Sequence, residues 1–90
     1  MAIVVIFTPD GMTTEQYDEA VGRLDSAGAG LPPGRMFHVC YGASGNLRVM
    51  EVWESQEEFD TFGEALMPIL NDIDIGPAQP EVVEAHNILE

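Results

Sequence analysis

Glu51 stands two residues before Trp53, the chain's single tryptophan, in the otherwise apolar stretch "VMEVW", residues 49–53. Strand side chains alternate between faces, so Val49, Glu51 and Trp53 share one. A carboxyl beside an indole in an apolar setting loses its water. That raises its pKa and suits it to general acid or base work. The competing assignment is a structural carboxylate held by an arginine or a histidine. His38 and Cys40 share a face of "RMFHVCY", residues 35–41. A His–Glu pair in a cavity is a proton-transfer device, although a lone strand histidine also serves as a structural residue. His86 and Asn87, in "AHNIL", point opposite ways, so only one of them can face a given cavity.

The elements that must position these groups follow from periodicity. Residues 2–8, "AIVVIFT", read as a central strand apolar on both faces and closed by "PDG". Thr13 and Gln16 fit a capping box, and Tyr17, Ala20, Val21 and Leu24 then fall on one helical stripe. Tyr17 fits a core-facing position from which its hydroxyl can reach a cavity. Glu19 and Arg23 have the spacing of a helical ion pair. "SAGAGLPPG", residues 26–34, stops the helix. Residues 35–41 and 47–54 form a hairpin around "GASGN". Ser55 and Glu58 start a second helix, residues 56–70, with Phe59, Phe62, Leu66 and Ile69 or Leu70 on its stripe and Pro68 weakening its last turn. Residues 71–80 read as a loop and 81–89 as a last strand.

The hairpin register decides which side chains meet Glu51. If residue 39 pairs with 49, then Phe37, Val39 and Tyr41 join Glu51 and Trp53. If 38 pairs with 49, His38 and Cys40 join them. A one-residue slip flips every side chain. The second register is favoured, because a buried glutamate needs a partner and His38 supplies one.

Ninety residues make one domain, residues 1–90, with a modest core. The net charge is −13, from three arginines, no lysine and sixteen acids. That surface repels nucleic-acid phosphates and anionic membranes, and it speaks chiefly to solubility. Cys40 is the only cysteine, so no internal disulfide forms and a cytoplasmic setting is expected. "MAIVVIF" lacks the basic leader and length of a signal peptide, and no run reaches the length of a membrane span.

The order β-α-β-β-α-β is the ferredoxin-like arrangement, an α+β fold with a four-stranded antiparallel sheet. Right-handed crossovers put both helices on one face. The other face, where Val49, Glu51 and Trp53 are expected, needs a cover. A second copy of the same sheet supplies it and encloses a cavity between the two sheets.

The stretch "VMEVWESQEEF", and above all its "VWES" step from Val52 to Ser55, resembles the third strand and second helix of the dimeric α/β-barrel superfamily. That superfamily includes antibiotic-biosynthesis-type monooxygenases, stress-responsive barrel proteins and small heme-degrading monooxygenases. The resemblance implies a homodimer and a cavity lined by Trp53. It also implies a last strand at the dimer interface, where His86 either joins the site or bonds across the interface. Heme chemistry does not carry over, because the heme-degrading relatives use a histidine on the second helix and residues 56–70 contain none. His38, Cys40, Glu51 and His86 are metal-ligand types, but their spacing follows no ligand pattern. No metal and no cofactor are expected.

Two functions from different classes fit. The first is an enzyme, either a cofactor-independent monooxygenase or an acid–base isomerase or cyclase. Its substrate is small and apolar or aromatic. Glu51 or His38 would be the catalytic base, and Trp53, His86 and Tyr17 would contact the substrate. The second is a non-catalytic small-molecule-binding or stress-related homodimer. A solid structural dimer without a cavity is a third.

Overall fold

Alternating and helical apolar patterns set six elements, which the computed structural model describes over residues 1–75 and 80–89. They are β1 (Ile3–Phe7), α1 (Thr14–Ser26), β2 (Arg35–Tyr41), β3 (Arg48–Trp53), α2 (Gln56–Asp72) and β4 (Glu81–Glu84). The strands form one antiparallel sheet in the order β2-β3-β1-β4. This is the ferredoxin-like order expected from the sequence.

Local chemistry explains the element ends. Thr13 and Gln16 close a complete capping box at α1, each side chain taking the other's backbone N–H. At α2, Ser55 accepts from the Glu58 N–H, while the Glu58 carboxylate takes the Ser55 hydroxyl instead of returning to the backbone. Pro68 removes one backbone donor, but α2 runs on to Asp72. Residues 71 and 72, expected in a loop, therefore close the helix, and residues 76–79 of that expected loop lie outside the described residues. Arg23 pairs with Glu19 as its spacing requires and also with Asp72, which ties α1 to α2 at the surface.

The core lies between the sheet and the helices. Ile3, Val5 and Phe7 of β1 alternate inward with Val49 and Trp53 of β3, and Leu24, Phe59, Phe62 and Leu66 close over them. Trp53 is fully buried, with the rings of Phe59 and Phe62 at 5.5 and 5.3 Å from its own. This corrects the expected orientation of β3. Val49, Glu51 and Trp53 point toward the helices, not toward the open face. Both faces of "VMEVW" are apolar, so alternation could not distinguish them. Only the helix side offers a large indole enough partners to exclude water completely.

The reverse face is apolar as well. Val4, Ile6, Val39, Met50 and Val52 are half-buried there, and Phe37, Tyr41 and Val83 are exposed. The last strand is shorter than the expected 81–89. Pairing with β1 ends at Glu84, and one further bond runs from the Ala85 N–H to the Ala2 carbonyl.

Candidate functional site

The β2–β3 register sets His38 opposite Glu51 and Cys40 opposite Val49. The faces agree with the favoured register, while the pairing is offset by two residues from the one proposed for it. Upstream of His38 the strand is irregular: Arg35 pairs with Trp53 and Phe37 with Val52, so Met36 is the extra residue of a bulge. The bulge turns Arg35 onto the same face as His38.

Glu51 is the single buried charged side chain among the described residues. Its Oε1 accepts from the Trp53 indole N–H at 3.0 Å. Its Oε2 lies 2.5 Å from His38 Nδ1 and 3.7 Å from an Arg35 guanidinium nitrogen. On the far side of the ring, His38 Nε2 lies 2.6 Å from the Tyr17 hydroxyl. The hydrogens follow if the ring is neutral. A carboxylate only accepts, so Nδ1 carries the ring hydrogen, and Nε2 of the neutral imidazole accepts from the phenol. Trp53, Glu51, His38 and Tyr17 thus form one hydrogen-bonded relay. Burial pushes the Tyr17 phenol above its ordinary pKa; Cys40, Glu51 and Asp18 add to this and Arg35 opposes it. Tyr17 therefore stays protonated at neutral pH and can donate.

The relay forms one wall of a cavity of about 170 Å³ between the sheet and the helices of a single chain. Tyr17, Arg35, His38 and Glu51 contribute its polar groups, with Asn71 also on the lining. Phe7, Leu24, Phe62 and Leu66 are among its apolar walls. Glu51 and His38, expected in a cavity between two sheets, instead face the helices and line a cavity of one chain.

The sequence-derived residues separate. Glu51, His38 and Tyr17 meet at the cavity. Trp53 does not line it; the indole is packed in the core and reaches the site only through its N–H. His86 is exposed beyond the end of β4, and β4 and β2 are opposite edges of the sheet, so it does not join His38. The metal-ligand types are divided in the same way. Cys40 shares the His38 face, half-buried, with its thiol pushed up by burial. Arg35 was missed by sequence reasoning, because its three-residue separation from His38 implies opposite faces in a regular strand. Nothing in "RMFH" marks the bulge.

No protein-family model matches the chain, and no curated protein matches it in sequence. Solved structures do match in shape. A Chloroflexus aurantiacus protein assigned as an antibiotic biosynthesis monooxygenase aligns at TM-score 0.68 and 16% identity, over 100% of this chain and 98% of its own. A conserved protein of Methanosarcina mazei Go1 aligns at TM-score 0.66 and 14% identity, over 93% and 92%. SnoaB, a cofactor-independent oxygenase of Streptomyces nogalater, aligns at TM-score 0.64 and 16% identity, over 98% and 94%. At such identities the likeness speaks to the fold. The chain has the ferredoxin-like fold shared by antibiotic-biosynthesis-type monooxygenases.

Proposed function

We propose that the protein is an acid–base enzyme of the cofactor-independent monooxygenase kind, acting on a small aromatic or enolic substrate in the cavity of each chain. The carrying observation is the Tyr17–His38–Glu51 relay at the wall of an apolar cavity. His38 is the base. Glu51 holds its Nδ1–H and stabilises the imidazolium formed when Nε2 takes a proton. Nε2 already accepts the Tyr17 hydroxyl, so the substrate's proton reaches it through Tyr17, whose oxygen takes that proton as it passes its own to Nε2. Glu51 acts through His38, since Trp53 and His38 already occupy its oxygens.

A reaction without a cofactor draws the electrons for oxygen from the substrate. Loss of a proton from an activated ring CH2 leaves a carbanion that reduces O2. The carbon ends as C=O, and the second oxygen atom leaves as water with the two hydrogens. The cavity's size favours a single ring, since an apolar cavity of roughly 150 Å³ accommodates benzene. The SnoaB likeness in fold supports an oxygenase over an isomerase or cyclase, which the same relay would also serve.

The apolar reverse face supports a homodimer, with a second sheet covering Phe37, Tyr41 and Val83. The test is oxygen uptake and product analysis over a panel of single-ring phenols, hydroquinones and cyclic 1,3-diketones. His38→Gln should lower the rate by about 10²-fold or more. Full activity in that variant would remove His38 from the mechanism. Stoichiometric binding across the panel with no turnover would instead support the non-catalytic binding module.

A further inference from the structure

Arg35 is the only one of the three arginines that lines the cavity. Arg23 is held at the surface by Glu19 and Asp72, and Arg48 is exposed, paired across the hairpin with Tyr41. Arg35 forms an ion pair with Glu51 but no hydrogen bond to it. Its nearest approach to Glu51 is 3.7 Å, too long for a hydrogen bond, and the oxygens of Glu51 are already bonded to Trp53 and His38. Among the described residues its one hydrogen bond runs from Nη2 to the Gly30 carbonyl, at 3.0 Å. That bond and the Phe62 ring, 6.0 Å from the guanidinium carbon, fix the orientation of the group. A guanidinium carries five N–H donors. Most of this fork therefore remains for a ligand, in a chain whose net charge of −13 otherwise repels anions.

We infer that Arg35 is an anion-binding residue, and that the cavity's ligand is a single-ring phenol or enol held as its oxyanion. This rests on the acid–base reading above and names its substrate class. Arg35, His38 and Tyr17 line the same cavity, so a phenol that gives its proton to the relay leaves its charge in the space that the guanidinium also borders. A preorganised cation placed where charge develops favours the ionised ligand over the neutral one. A neutral apolar ring would gain no such benefit.

The probe is 4-nitrophenol, whose absorbance distinguishes bound phenolate from bound phenol. Its methyl ether, 4-nitroanisole, is the uncharged control of similar shape, and benzoate tests a carboxylate. The wild-type protein should bind the phenolate at least tenfold more tightly than the ether and ionise bound nitrophenol at lower pH than in water. Arg35→Gln should lose the preference and leave ether binding unchanged, while Arg35→Lys should keep part of it. Circular dichroism checks that each variant folds, and Arg35→Lys carries the test if Arg35→Gln does not. Equal binding of phenolate and ether by the wild type would overturn the inference, as would an equal loss of both in Arg35→Gln. Tighter, Arg35-dependent binding of benzoate would replace the phenolate assignment by a carboxylate. None of these readouts needs turnover, so a failure here is distinct from a failure of the His38 test.

Discussion

Arg35 and His38 lie three residues apart in β2, yet both side chains approach Oε2 of Glu51, at 3.7 and 2.5 Å. An odd separation in a regular strand sends two side chains to opposite faces. Met36, the extra residue of the bulge, cancels that parity. The cationic wall of the cavity thus depends on one irregular residue in an edge strand.

Deleting Met36 should turn Arg35 to the reverse face while leaving His38 opposite Glu51. The shortened protein should bind nitrophenolate and nitroanisole alike, as Arg35→Gln does. Retained discrimination would show that Arg35 reaches the cavity without the bulge.

Glu51→Gln replaces an acceptor-only group by an amide that can present its NH2 to Nδ1 and so favour the wrong tautomer of His38. As a positioning change, it should lower kcat by more than about tenfold with KM nearly kept. It should also shift the pH profile of kcat/KM. A uniform loss in which the pH profile does not move would point to a merely structural carboxylate.

Trp53 is a core residue with a polar duty, so two substitutions should separate its roles. Trp53→Ala should cost about 3–5 kcal/mol in urea denaturation through the cavity it leaves. Trp53→Phe keeps a ring but removes the donor to Glu51 Oε1, and should cost about 1–3 kcal/mol from the unpaired oxygen. If Trp53→Phe proves neutral, the indole N–H contributes nothing to holding Glu51.

Tyr17 carries a stability dependence on pH. Its folded-state pKa is raised, chiefly by burial, above the ordinary value of 10.0. At neutral pH the phenol is protonated in folded and unfolded chains alike, and the contribution is fully present. As pH rises past that ordinary value the unfolded chain ionises first, and stability is lost until the folded pKa is passed. Thermal melts at increasing alkalinity should therefore fall more steeply for the wild type than for Tyr17→Phe. Parallel curves would contradict the assignment.

Val39 and Val52 face outward from the sheet, half-buried, on neighbouring strands. Val52→Asp should convert the proposed homodimer to a folded monomer in sedimentation experiments. Each chain carries a net charge of −13, so added salt should tighten the wild-type dimer by screening repulsion. A wild-type monomer at high salt and high concentration would remove the dimer.

Much of this arrangement was legible in the residues. The element order, the Thr13–Gln16 cap and the α2 stripe follow from local spacing, whereas Val21 of the expected α1 stripe is exposed, and the meeting of His38 with Glu51 was favoured only because a buried glutamate needs a partner. The direction in which β3 faces did not, because "VMEVW" buries apolar groups on both sides, and only the packing of Phe59 and Phe62 over Trp53 selects one. The position of Arg35 at the cavity was hidden by a bulge without a glycine or proline to mark it. The end of β4 was overestimated because "EVVEAHNIL" stays compatible with a strand past Glu84, where pairing with β1 stops.

One consequence follows from the placement of the lone indole. Trp53 is shielded from solvent, and its N–H rests on the carboxylate that anchors the relay. A proton arriving at His38, or an anion settling beside Arg35, changes the electric field across that ring. The protein therefore holds an intrinsic fluorophore joined to the proposed site, and its emission colour should follow occupancy and protonation in real time without any attached label.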